Sequence, residues 1–220
     1  MNFPDALFTF PWSVAAWALL GALILASAWS APWRRLAEDD QLNVWAGAIV
    51  VLMLLWSMKA GVKPGLNLHL LGVTALTLMF GWQLAVLGLC VVLAAVTVNG
   101  GAGWQSYGLN GLVMVVFPVL VSQALMRLVT RRLPANLFVY VFCAAFLGAA
   151  LVTAATGVLA ALLLWTADVY GAETLLGEFL PYFLLLGFAE AWLNGAAITL
   201  MVVYRPHLVG SFDERRYLSK

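Results

Sequence analysis

The chain has 220 residues, of which 64% are hydrophobic and 10% charged, and its mean hydropathy is +0.98. Water-facing globular domains are nearer half apolar and a quarter charged, so the composition excludes an ordinary soluble domain and makes lipid the main solvent. The net charge is +1 and no like-charge run exceeds Glu38-Asp39-Asp40, which excludes recognition of nucleic acid or an acidic partner by bulk charge.

Taken in chain order, the apolar segments predict an all-α polytopic membrane protein with about seven spans, at roughly 11–31, 43–60, 67–82, 84–98, 107–127, 136–166 and 179–204. A bilayer crossing takes about 20 residues. Before the first segment there is no Lys or Arg, so the positive start of a cleaved signal is lacking and the segment is expected to be retained. It carries Ala18, Ala22 and Ala26 at four-residue spacing, a stripe that lets another helix approach closely, within the bundle or from a partner subunit. The third segment opens on GLNLHLLG, Gly65 to Gly72, and so places His69 at the mouth of a helix. A neutral imidazole there can ligate a metal, or it can be a packed histidine bonded to a carbonyl or to Asn67. The fourth segment is short and ends on Asn99-Gly100-Gly101-Ala102-Gly103, a loop signal. The sixth would run to about 46 Å as a straight helix, which predicts tilt, a kink or a projecting end.

Glu190 falls near the middle of the seventh segment, where a charge costs on the order of 2.5–3.5 kcal/mol on insertion scales. It is therefore expected to face the bundle interior beside Asn194, one turn on, as a site residue or as polar glue between helices. Trp12, Trp33 and Trp82 near span ends fit an interfacial belt. Cys90 and Cys143 sit in apolar segments and read as small buried hydrophobes, and His207 reads as an interfacial or solvated residue.

Orientation follows from the basic residues near span ends. With the amino terminus outside, the inner segments hold Arg34, Arg35, Arg127, Arg131, Arg132, Arg205, Arg215, Arg216 and Lys220, against Lys59 and Lys63 outside. The carboxyl terminus is then cytoplasmic. We expect one transmembrane domain over 1–210 and a short tail over 211–220. Met1, Asn2, His69, the glycine-rich loop and Asn110 are then expected at one depth on the outer side. No serine-nucleophile elbow, HExxH, phosphate-binding glycine loop or paired intramembrane aspartates occurs, so an enzyme is not expected.

Several short stretches carry a family likeness. Gly65-x-x-x-His69-Leu70-x-Gly72 resembles the histidine segment of cobalt/nickel substrate-capture permeases of energy-coupling factor transporters, the CbiM/NikM type. Asn99-Gly100-Gly101, then Gly108-Leu109-Asn110 and Met114, resemble that family's DGG…GAN…NM region. Phe188-Ala189-Glu190-Ala191 with Gly195 resembles its PEA…TG helix, Tyr204-Arg205-Pro206 its basic end, and Met1-Asn2-Phe3-Pro4-Asp5 its MHIPDG opening.

The resemblance implies a metal site built from the free amino terminus, the backbone nitrogen and side chain of residue two, and the internal histidine. Met1, Asn2 and His69 carry over by position, with Asn110 and Asn67 in support and Glu190 tying the last span into the bundle. Such all-nitrogen, roughly planar fields suit Ni(II) or Cu(II). This chain departs from the pattern at residue two, where Asn2 replaces the family's histidine and removes one imidazole. Asp5, Asn67 and the Met1 thioether are further candidate donors. The resemblance also implies a transmembrane coupling subunit and two cytoplasmic ATPases as partners, a prokaryotic cytoplasmic membrane, and a transported divalent ion (Ni, Co or Cu). Two other readings are open at this point. One is a non-transporting accessory or assembly subunit. The other is capture of a small organic molecule, lined by Phe3, Trp104 and Tyr107.

Overall fold

A computed structural model describes residues 2–5, 7–38, 40–61 and 63–217. Met1, the amine ligand implied by the resemblance, lies outside the described residues. In chain order the helices are α1 (Phe10–Ser30), a short α2 (Trp33–Leu36), α3 (Gln41–Ser57), α4 (Val73–Phe80), α5 (Trp82–Val98), α6 (Tyr107–Arg132), α7 (Leu137–Thr166), α8 (Ala172–Glu178), α9 (Leu180–Tyr204) and a last turn α10 (Glu214–Tyr217). Among the described residues the β content is one isolated bridge, Ala60 to Leu68.

Among the described residues, four stretches are long and apolar enough to cross a membrane: α1, α6, α7 and the run Ala172–Tyr204 that joins α8 to α9. The apolar helices α3 and α5 have 17 residues each. The third expected span is different. The described residues between α3 and α4, 58–61 and 63–72, form a non-helical connector, and α4 has eight residues. At about 1.5 Å per residue α4 covers about 12 Å, against a hydrocarbon core of about 30 Å. Gly72 (φ 64°) and Gly81 (φ 81°) bound it in left-handed conformations that side-chain-bearing residues rarely adopt. Nearly every residue of α4 is buried. Its apolar composition therefore reflects a protein core, with the other helices packed round it, and not contact with lipid.

The long sixth segment is a helix of 30 residues with a π-helical stretch, Tyr140–Phe146. In α6 a second π-helical stretch, Leu112–Val116, runs up to Pro118, whose ring nitrogen cannot donate to the Met114 carbonyl one turn back. At the crossing of α1 and α6, Gly108 lies against the backbone of Ala16 and Trp17, where a Cβ would collide with main-chain atoms. That contact fixes α6 against α1 two residues before Asn110.

The buried face of α1 is Ser13, Ala16, Leu20 and Ser27. Ala18, Ala22 and Ala26 are on its exposed side. The stripe is therefore unused inside the bundle.

At the far end of α4, its last carbonyls are taken up by the chain's own carboxyl-terminal segment. Gly210 donates its amide to Met79 O at 2.9 Å, and Ser211 donates both its amide (3.1 Å) and its hydroxyl (2.8 Å) to Leu78 O. Arg35 adds a guanidinium bond to Met79 O at 2.6 Å. Phe212 and Tyr217 are buried against Tyr140. Through Tyr217, then, the stretch read from sequence as a short tail lies on the bundle.

Candidate functional site

The site is built where the opening segment of the chain, irregular in backbone, threads between the 58–72 connector and the start of α6. Asn110, fully buried on α6, reads the backbone of Phe3 on both sides: its Oδ1 accepts from Phe3 N at 2.8 Å and its Nδ2 donates to Phe3 O at 3.0 Å. A side-chain amide paired in this way acts as one rung of a sheet, and it fixes the segment's register. Asn67 does the same one residue earlier. Its Oδ1 accepts from Asn2 N at 2.6 Å, and its Nδ2 reaches Asn2 O at 3.4 Å. The glycine-rich loop closes over the segment, with Gly103 N donating to Phe3 O at 3.3 Å. Asp5, a candidate donor from sequence, is engaged elsewhere: its Oδ1 accepts from the amides of Gln105 (2.7 Å) and Ser106 (3.3 Å).

With the segment held so, Asn2 meets His69. Both are buried, 2% and 4% exposed. The Nδ1 of His69 lies 3.1 Å from Leu70 O, and its Nε2 lies 3.1 Å from Asn2 Oδ1. A neutral imidazole has one N–H. The Leu70 carbonyl can only accept, whereas the Asn2 amide can present either its oxygen or, after a half turn, its nitrogen; Nδ1 is therefore assigned the proton and Nε2 faces the Asn2 amide. The side-chain Nδ2 of Asn2 is buried without a partner. Trp56 stacks obliquely on the imidazole, with ring centroids 4.9 Å apart, and donates its indole N–H to Leu71 O at 3.0 Å. Trp56 was invisible to the sequence reading, which treats tryptophans near span ends as interfacial anchors. Its fully buried ring is instead the wall of the site.

A polar cleft of about 370 Å³ leads to Asn2 and Asn67, walled by Lys59, Pro64 and the glycine-rich loop. Lys59 donates to Gly101 O at 3.0 Å across it. On the same end of the bundle, Lys63 pairs with Glu178, and Tyr170 donates to Pro64 O at 2.9 Å.

Below His69 stands Glu190, 1% exposed. Its carboxylate accepts from the amides of Leu71 and of Gly72 (3.1 Å) and from Asn194 Nδ2 (2.7 Å). Asn194 in turn accepts from Ala75 N at 2.8 Å through its Oδ1. The pair on α9 thus satisfies amides at the start of α4 that have no acceptor within that helix.

Of the residues singled out from sequence, Asn2, Asn67, His69 and Asn110 come together, and Glu190 joins them through the backbone of Leu71. His207 is exposed at the opposite end, where its carbonyl accepts from Gln41. The aromatics considered for an organic ligand do not surround the site. Trp17, Tyr107 and Trp104 stack on one another along the α1–α6 contact, and Phe3 packs on Phe8 in the core. Among the described residues, no group of three or more His, Cys, Asp or Glu side chains converges. Any cation at His69 would therefore need donors other than a cluster of such side chains.

The described residues thus form an all-helical, apolar bundle in which one buried imidazole meets the amino-terminal segment, and a polar cleft leads to that segment at Asn2. The chain belongs to the CbiM family, described as the cobalt uptake substrate-specific transmembrane region, whose model matches residues 2–208. In fold it is similar to the crystal structure of a truncated transition metal transporter (TM-score 0.72, 18% identity, covering 93% of this chain and 99% of that one). A second transition metal transporter gives TM-score 0.70 at 18% identity, covering 91% of this chain and 92% of the other. No curated protein matches.

Proposed function

We propose that this chain captures a divalent transition metal ion on the outer face of a prokaryotic cytoplasmic membrane for ATP-driven uptake. Its partners would be a transmembrane coupling subunit and cytoplasmic ATPases. His69 Nε2 and Asn2 are the ligands contributed by the described residues, and the Met1 amine completes the set. Asn67 holds residue two in place, and Asn110 holds Phe3 beside it.

The observation that carries this reading is the buried pair of His69 Nε2 and the Asn2 side-chain amide, 3.1 Å apart. Two donors at right angles around an ion with bonds of about 2.1 Å stand about 3.0 Å apart. The pair thus has the spacing of neighbouring ligands. A site with one imidazole and an amide oxygen is harder than an all-nitrogen field, and it favours Ni(II) less strongly over Co(II).

Calorimetric titration of the purified protein with Ni(II), Co(II), Cu(II) and Zn(II) tests the reading. His69→Ala is expected to weaken binding by more than the 10–100-fold typical of losing a supporting residue. Extra residues placed before Met1 are expected to weaken it as well. Binding unaltered by either change would remove the proposed ligand set. No binding at all to the unmodified protein would favour an accessory role.

A further inference from the structure

We propose that Glu190 tunes the metal-binding nitrogen of His69 through a single peptide group. The proposal rests on the capture reading for its consequence, but not for its geometry. The peptide between Leu70 and Leu71 is engaged at both ends: its N–H donates to Glu190 Oε1, and its C=O accepts from His69 Nδ1 at 3.1 Å. The resulting line is carboxylate, peptide N–H, peptide C=O, imidazole Nδ1–H, imidazole Nε2. In many metal sites a carboxylate bonds directly to the ligating histidine, fixes its tautomer and raises its basicity. Here the same arrangement has one peptide interposed, and hydrogen bonds in series polarise one another.

Three features support it. The donors around the carboxylate are all N–H groups: Leu71, Gly72 and Asn194. Among the described residues it meets no acceptor that would take a proton from it, so the ionised form is the one this pocket satisfies. The peptide itself is clamped. Trp56 donates to the next carbonyl, Leu71 O, and packs its ring on His69, so the relay cannot swing away from the imidazole. The left-handed turn at Gly72 brings two consecutive amides onto one carboxylate. Simple interhelical glue would need one such bond and would have no reason to engage the peptide that binds the histidine. Glu190 is thus a positioning residue, one that acts on the ion through His69.

The test uses the full-length protein with His207→Gln, which leaves His69 as its one histidine. Nitrogen-15 spectra of the metal-free protein report which ring nitrogen holds the proton. The expected result is Nδ1–H in this background, with Glu190→Gln producing a mixture in which Nε2–H appears. In parallel, Ni(II) or Co(II) affinity is expected to fall 10–100-fold. Glu190→Asp, which keeps the charge, should recover part of the tautomer preference. An Nε2–H tautomer in the unsubstituted site overturns the relay even if no Glu190 variant folds. So does a His69 spectrum indifferent to Glu190→Gln, which would leave the carboxylate as a cap for α4. Should the parent protein bind neither metal, the capture reading falls, and the tautomer spectra still decide the relay.

Discussion

Burial holds the His69 imidazole well below the usual histidine range. The charge of Lys59 adds to this, and the bond to Leu70 opposes it. In the unfolded chain the ring titrates near 6.5. Because the folded protein keeps it neutral, its contribution to stability is complete above about pH 6.5. That contribution is lost as pH falls from there toward the folded-state value, at up to about 1.4 kcal/mol per pH unit. The thermal midpoint of the detergent-solubilised protein should therefore drop between about pH 7 and pH 5, and His69→Gln should flatten that limb. Equal slopes in the two proteins would place the acid sensitivity elsewhere. Asn110 makes a separate prediction. Asn110→Ala strands the buried Phe3 amide at about 1–3 kcal/mol, and it frees the segment that presents Asn2. Lower thermal stability together with weaker Ni(II) binding is expected, and loss of only one of the two would uncouple Asn110 from the site. The asparagines were readable as polar residues out of place in apolar sequence. That they bind backbone was not, because a main-chain partner leaves no mark in the sequence. The same holds for Glu190, whose acceptor role is met by the amides of Leu71 and Gly72.

At the scale of the element, α4 is the piece that ties the site to the rest of the bundle. Its first turn is held by Glu190 and Asn194 from α9, and its last by Arg35 and the 210–211 backbone. Eight apolar residues inside an apolar stretch look like part of a span, since hydropathy cannot distinguish burial in protein from burial in lipid. The signals that do distinguish them are the glycines. Gly72 and Gly81 bracket α4, and both have positive φ. Gly72→Ala would place a Cβ in a left-handed position, at about 1–2 kcal/mol, and would press it against the Leu52 side chain. It would also turn two amides off Glu190. We expect both a lower thermal midpoint and a weaker Ni(II) or Co(II) site. A loss of stability with unchanged metal affinity would show that the start of α4 does not govern His69. The long helices were legible from length and hydropathy alone. The π-helical stretches within α6 and α7 were not, because they depend on how the helices pack.

Across the whole molecule, the basic residues separate by end. Lys59 and Lys63 stand beside the site, while Arg35 and Arg216 anchor the opposite end through Met79 O and Thr130 O. The positive-inside bias then supports a site facing outward and a cytoplasmic far end. The proposed coupling subunit would need a face to pack on, and α1 offers one. It buries four residues in the bundle and leaves Ala18, Ala22 and Ala26 exposed. Small side chains give van der Waals contact between helix backbones in a membrane, where apolar burial alone supplies little drive for association. Ala22→Trp removes that close approach without entering the core, since its Cβ is on the exposed face. Co-expressed with a coupling subunit and ATPases, the variant should be recovered with its partners at least several-fold less than the parent. Calorimetry on the isolated variant should return the parent's metal affinity, because the substituted face is separate from Asn2 and His69. Undiminished recovery of the complex would move the partner surface off α1. A matching loss of metal affinity would mean that the substitution had disturbed the bundle, and not an interface.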